Sequence, residues 1–389
     1  MTEPLPKQLV YVDTPIASTV GQVMPFYENG FFDHKTTPLA LKRRPALSAQ
    51  MLFSRHRHAG PVKVLSSKLV QRLPVQPGGE VYYPFNSMSN MNMVNNRSLH
   101  HVLILHGESN KNASFRPAAR LYDYITIAGP MARQRYLDHG IFTAAELDNG
   151  RVIMMGDTFV QSIPWLKPQT ADEGAILYSP TWEGYGGPEN NFSSIKGGRG
   201  FTQVISLAKS RDIAKIIVKP HPYLGTLKPW MIRDFIRGVK ALRRAGLSVS
   251  IALSGVNFAV RAAVRTWLRS VPLLDSSTTA SIAFGICDVS GMEALLLKQK
   301  IPCVVLTSGD AAPEMLRGIY ALKALDMNAT DNHSAAAYLT RHAEIDEAHR
   351  ALIFGWHTPD LEQMAQADRN IWLSNFVKTN AYWHVNHVS

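Results

Sequence analysis

Residues 215–253 read KIIVKPHPYLGTLKPWMIRDFIRGVKALRRAGLSVSIAL. The segment opens on a β-branched run at 215–218, which Lys219-Pro220-His221-Pro222 stops. Proline locks φ and lacks an N–H, so a strand ends there. From Pro229 to Arg244 apolar residues recur at helical spacing. The proline stands at the start, where an N–H would lack an intrahelical partner anyway. A second β-rich run follows at 249–253. Strand, helix and strand in succession make a βαβ unit, whose strands are parallel and buried beneath helices.

The same alternation extends both ways. Downstream come helical composition at 258–269, an apolar strand at 281–289, a helix at 291–300, a strand at 302–306 and helical stretches at 333–352 and 360–376. Upstream lie a strand at 175–178, a Gly-rich loop and a helix at 201–211. Further upstream, strands are expected at 9–12, 62–65, 81–83, 101–105, 124–128 and 152–155, with a helix at 131–139 ending at Gly140. Pro164, Pro168 and Gly174 mark 156–174 as a linker. The pattern predicts an α/β chain of two Rossmann-like, doubly wound domains, at 1–165 and 166–370. Residues 371–389, with Trp372, Phe376, Tyr382 and Trp383, are a candidate to pack back on the first domain as a helix. Ligands of such sheets bind beyond the C-terminal ends of the strands.

Composition narrows the function. The 389 residues suit two domains, and with 46% apolar and 18% charged residues the chain can bury large cores. Lys and Arg exceed Asp and Glu by 41 − 30 = 11, which favours anionic partners. Two cysteines, Cys287 and Cys303, exclude a disulfide scaffold and read as small core residues in a reducing cytoplasm. The N-terminus does not read as a signal peptide, and no apolar run is long enough to span a bilayer. There is no Walker A sequence and no complete Gly-x-Gly-x-x-Gly fingerprint, which lowers the weight of P-loop hydrolases and ordinary dehydrogenases.

Four segments at strand ends carry candidate chemistry. Leu103-Ile-Leu-His106-Gly107-Glu108 places a histidine and a glycine at a strand tip, with Lys111 beyond. An imidazole there suits general-base work on a hydroxyl, although a loop histidine that only hydrogen-bonds is the plainer reading. Tyr178-Ser179-Pro180-Thr181-Trp182 leads into a loop holding six glycines from Gly184 to Gly200, long enough for a lid. Ser-Pro-Thr is also ordinary turn chemistry. Lys219-Pro220-His221-Pro222 sets a cation beside an imidazole on a rigid turn, suited to phosphate oxygens. Asp288-Val289-Ser290-Gly291-Met292-Glu293 joins a strand to a helix, whose N-terminus is an anion site. Ser290 with Glu293 also fits a capping box.

In this order the segments resemble the CDP-glycerol glycerophosphotransferase family, the polymerases and primases of teichoic acids and related capsule polymers. The resemblance covers roughly residues 85–310, and includes 121–124, Ala128-Gly-Pro130 and Arg135-Tyr136 between the first two motifs. It implies a GT-B architecture with the active site in the cleft between the domains. It implies transfer of glycerol or ribitol phosphate from a CDP-activated donor to a hydroxyl of a cell-wall or capsule polymer, with release of CMP. His106 would be the base on the acceptor hydroxyl, with Gly107 and Lys111 on the acceptor side. His221 and Lys219 would contact donor phosphates, Ser290 and Gly291 would bind the pyrophosphate, and Ser179 and Thr181 would line the donor side. No redox cofactor and no obligatory protein-bound metal are implied. The chain departs from the family at Asp288-Val-Ser-Gly-Met-Glu293, where a Ser-Asp-Tyr-Ser-Ser run is usual, and at Glu183, where arginine is frequent. Ser-Gly followed by glutamate also resembles GT-B sugar transferases, in which Glu293 would bind the nucleotide ribose. A nucleotide-sugar glycosyltransferase of surface polysaccharide synthesis is therefore the second reading, and a non-catalytic nucleotide-binding scaffold the third.

Residues 228–269 hold nine Lys or Arg and one acid, Asp234. A solvated helix face is the plain explanation. The functional one is an anionic polymer, a lipid-linked acceptor or an anionic membrane, with the protein peripheral on the inner face of the cell membrane. Residues 41–72 add eight basic residues and no acid. No nucleic-acid signature occurs, so no nucleic-acid partner is expected.

Overall fold

The structure is a computed structural model and describes residues 5–13, 19–43, 62–65, 75–109, 116–170, 174–184, 193–274, 278–308 and 318–380. Lys111, residues 185–192 of the Gly-rich loop, Tyr382, Trp383 and most of the 41–72 basic stretch lie outside them. The chain forms two compact units, and its boundaries differ from the simple division into halves. The first unit takes 1–108, 115–161 and 352–389, and the second takes 109–114 and 162–351.

The first unit is built on seven parallel strands: β1 Gln8–Val12, β2 Leu39–Lys42, β3 Val62–Leu65, β4 Glu80–Tyr83, β5 His100–Leu103, β6 Tyr124–Ile127 and β7 Val152–Met154. Their order, β3-β2-β1-β4-β5-β6-β7, is doubly wound, with the switch between β1 and β4. β4, β5 and β6 are buried along their whole length, as strands covered on both faces must be. Among the polar residues this places inside, Glu80 is paired. Glu80 takes Lys378 at 2.7 Å and the Ser374 hydroxyl at 2.9 Å, both from the Gln366–Thr379 helix.

That helix belongs to the first unit. Leu373 and Val377 share a core with Val10, Tyr82, Val102 and Ile153. The chain joins the unit at Leu352, earlier than the expected 371, because its contacts begin there. The Gly355 amide bonds to Ala128 O at 2.9 Å and His357 N to Met154 O at 2.8 Å. The approach is so close that a Cβ on Gly129 would lie 2.4 Å from Gly355 N.

The second unit carries β8 Leu166–Pro168, β9 Ala175–Ser179, β10 Lys215–Val218, β11 Ser248–Ala252, β12 Leu273–Leu274, β13 Ala280–Asp288, β14 Cys303–Thr307 and β15 Ala324–Asp326. The main order is β12-β11-β10-β9-β13-β14-β15, with β8 on β13. Every pairing is parallel, and the order reverses between β9 and β13. The expected linker is thus shorter than 156–174, since β8 lies within it and pairs in this sheet. The amphipathic helix forms as Trp230–Arg244, burying Phe235, Val239 and Leu242. Cys287 and Cys303 are free and buried, their sulfurs 3.3 Å apart on adjacent strands. Among the described residues no helix is long and apolar enough to cross a membrane.

The C-terminal helix closes the first core, so Leu373→Ala should destabilise the first unit by about 2–5 kcal/mol. Urea unfolding followed by a probe in the first unit should show the loss.

Candidate functional site

Three of the four motifs meet in the second unit at the ends of three neighbouring strands, β10, β9 and β13. The meeting point includes the β9/β13 reversal, where open α/β sheets bind ligands. The Lys219 amide bonds to Tyr178 O at 2.8 Å, and the Ser179 hydroxyl donates to Lys219 O at 3.3 Å, so the first two turns are stitched together. Asp288 ends β13, and its buried Oδ2 accepts the amides of Thr181 at 2.7 Å and Ser194 at 3.2 Å. Ser193 closes the same turn by donating to Thr181 O at 2.7 Å.

Two residues later Ser290 caps the Gly291–Lys298 helix, its hydroxyl taking the Met292 amide at 3.4 Å. The predicted box with Glu293 takes another form, since the Glu293 amide bonds to the Ser290 carbonyl at 3.3 Å. The Glu293 side chain is buried, with Oε1 3.9 Å from His349 Nδ1. Lys323 Nζ stands 3.1 Å from that same nitrogen and 2.8 Å from Asp346 Oδ1. Burial, and then Lys323, push the His349 pKa down to about 3, so this imidazole is neutral. Gly291 is exposed, and Ser290 is half-buried.

His221 accepts the Tyr223 amide on Nδ1 at 3.1 Å. In the neutral ring this places the proton on Nε2, which becomes a donor. The ring lies nearly parallel to Trp182, at 5.7 Å and 10°, with Tyr223 tilted beside it. Lys219 is half-buried, and the protein around its ammonium lowers its pKa by desolvation. Glu183 anchors the loop after His221, accepting the amides of Gly225, Leu227 and Lys228 at 3.0, 2.8 and 2.9 Å. Asn257 holds the same loop through Leu224 O at 2.7 Å. In the sequence Glu183 stands out only as a departure from a family pattern, and Asn257 belongs to none of the four motifs. An acid at a strand-end turn before a Gly-containing loop is the signal for the first, and a residue with helix-cap chemistry before 258 for the second.

The remaining motif lies in the first unit. β5 stops at Leu103, before the expected 105, because Leu105 has φ +59° and breaks the extended path. His106 follows, exposed, with Nδ1 2.8 Å from Pro84 O and its ring 4.4 Å from Phe85. A carbonyl only accepts, so Nδ1 carries the proton and Nε2 keeps its lone pair. The protein around the ring lowers its pKa through desolvation, and the Pro84 bond opposes this in part. Gly107 has φ +142°. Glu108 is buried in an ion pair with Arg135, which sits on the Pro130–Asp138 helix. Among the described residues no group of three or more His, Cys, Asp or Glu could hold a metal ion.

No sequence-family profile matches the chain and no curated protein sequence does. Solved structures match its fold. The Anabaena protein HepE in complex with UDP and glucose is 12% identical, over 96% of this chain and 99% of that one, with a TM-score of 0.51. HepE in complex with UDP-glucose is 12% identical over 94% and 98%, with a TM-score of 0.50. An Escherichia coli structure described as trehalose-6-phosphate bound with UDP-2-fluoro glucose is 10% identical over 96% and 99%, with a TM-score of 0.44. The fold is thus GT-B-like, with two Rossmann-like units.

Removing Asp288 strands two buried amides. Asp288→Ala should cost about 2–5 kcal/mol in the second unit, read by its denaturation.

Proposed function

We propose that the chain is a GT-B glycosyltransferase that takes its sugar from a nucleotide-sugar donor. The observation that carries this is the convergence of Ser179, Thr181, Lys219, His221 and Ser290 at the sheet reversal of the second unit. HepE, which has a similar fold, has been solved with UDP-glucose. In this reading the donor diphosphate sits at the Gly291–Lys298 helix N-terminus, where free amides and the helix dipole favour an anion. His221 donates from Nε2 and Lys219 adds positive charge. As the acceptor oxygen bonds to the sugar carbon, the bond from that carbon to the diphosphate oxygen breaks. Charge then grows on the leaving diphosphate, and these groups stabilise it. His106 acts as general base, receiving the acceptor hydroxyl proton on Nε2. A ribose-binding role for Glu293 does not fit its buried side chain, which faces His349.

The second reading remains transfer of a polyol phosphate from a CDP-activated donor, favoured by the order of the four motifs. There the acceptor oxygen attacks phosphorus and CMP leaves, and the same cation, donor and helix N-terminus carry the charge.

Calorimetry with UDP-sugars, GDP-sugars, CDP-glycerol and CDP-ribitol separates the two. A uridine or guanosine preference with sugar turnover supports the first reading, and a cytidine preference with CMP release replaces it by the second. Binding with no turnover of any donor would make the chain a nucleotide-binding scaffold. With the turned-over donor, His221→Ala should lower kcat by about 10²–10³-fold. His106→Ala should lower it by about 10²–10⁴-fold. A base must be unprotonated to act, and the His106 pKa lies below the ordinary histidine value. Activity should therefore rise with pH through a midpoint below the ordinary histidine value of about 6.5, with that acid limb absent in His106→Ala.

A further inference from the structure

The second unit carries an uncompensated basic face with apolar residues set into it. On the Trp230–Arg244 helix, Arg233, Arg237, Arg243 and Arg244 are exposed. The neighbouring Phe258–Trp267 helix adds Arg265, and Arg269 follows it, both exposed. The two helices meet where Lys240 Nζ lies 5.8 Å from the Trp267 ring centre and Arg243 donates to Ser270 at 2.8 Å. The one acid of the stretch, Asp234, is engaged with Arg237 at 3.7 Å and the Gly197 amide at 3.1 Å. Arg265 and Arg269 form no ion pair among the described residues.

Between them is a groove of about 170 Å3, lined by Val264, Arg265, Leu268, Arg269, Val271 and Leu273. Its floor is apolar and buried, and its rim is two guanidiniums. Beside it Trp267 is 64% exposed and Leu273 is 47% exposed. Apolar side chains set among exposed cations make this face amphipathic and not only charged.

We propose that this face docks on an anionic phospholipid bilayer. Arg265 and Arg269 pair with lipid phosphates, while Trp267 and Leu273 enter the head-group layer. Each half of the face argues for the bilayer over another partner. A soluble polyanion would satisfy the arginines and leave the indole in water. An apolar protein partner would bury the indole and leave the cations unpaired. A bilayer interface offers phosphates and a semi-apolar layer together, the setting in which indole and arginine side chains are both favoured. Several basic side chains act at once, which a single weak anchor requires. The groove is lined by none of Ser179, Thr181, Lys219, His221 and Ser290, and docking there does not depend on which donor those residues bind.

The test is sedimentation of the full chain with vesicles of phosphatidylcholine plus phosphatidylglycerol, and of phosphatidylcholine alone. Binding should need phosphatidylglycerol, fall as salt rises, and drop at least tenfold in Arg265→Glu/Arg269→Glu. Trp267→Ala should weaken it several-fold. Lys209→Glu/Arg211→Glu, exposed elsewhere on the unit, makes the same charge change and should leave most binding intact. Thermal melts of each variant confirm folding, and a variant that fails is replaced by Arg265→Gln/Arg269→Gln. Equal loss in the Lys209/Arg211 variant overturns the proposal in favour of net charge. Binding to phosphatidylcholine alone, or binding that ignores salt, also overturns it. So do anionic vesicle binding unchanged by Trp267→Ala, and self-association through this face without vesicle binding.

Discussion

The Asp288 carboxylate stands buried at the end of β13 and accepts the amides of Thr181 and Ser194. A buried carboxylate is costly unless hydrogen bonds replace its water, and here backbone amides do so. The consequence is geometric. Thr181 belongs to the turn after β9, Ser194 to the far side of the Gly-rich loop, and Ser290 begins a helix two residues beyond Asp288. One acid therefore sets the turn, the loop's return and the helix N-terminus in fixed relation. Through the Lys219–Tyr178 and Ser179–Lys219 bonds the His221 turn joins the same frame.

The two candidate histidines, one in each unit, are prepared for opposite tasks. A backbone amide donates to His221, which turns its far nitrogen into a donor. A backbone carbonyl accepts from His106, which turns its far nitrogen into an acceptor. Neither arrangement needs a neighbouring acid, because the main chain sets both tautomers. An oxygen that gathers charge suits the first ring, and a hydroxyl that loses a proton suits the second.

Much of this was legible along the chain, because long buried parallel strands appear as apolar runs and strand-end motifs keep their place. Residues 215–218 and the basic helix after them coincide with the structure almost residue for residue. β12 and β15, two and three residues long, passed unseen because so short a run has no period to detect. β8 was hidden by Pro168, which reads as a breaker yet closes an edge strand here. The role of Glu183 could not be read, since its three amide partners stand 42 to 45 residues away. The burial of Glu293 against His349 depends on a helix that returns late in the sequence. Local pattern reports which residues a strand end offers, and tertiary proximity decides which of them turn inward.

The return of the chain to the first unit also bears on how the protein emerges from the ribosome. The Ser374–Glu80 bond joins residues 294 positions apart, and Leu373 and Val377 fill a core begun by β1. The strands of the first unit are thus made before those of the second, yet its interior is completed after them. The second unit has all its own strands between 166 and 326. The nascent chain therefore carries a seven-stranded sheet with an incomplete core until the Gln366–Thr379 helix has been made.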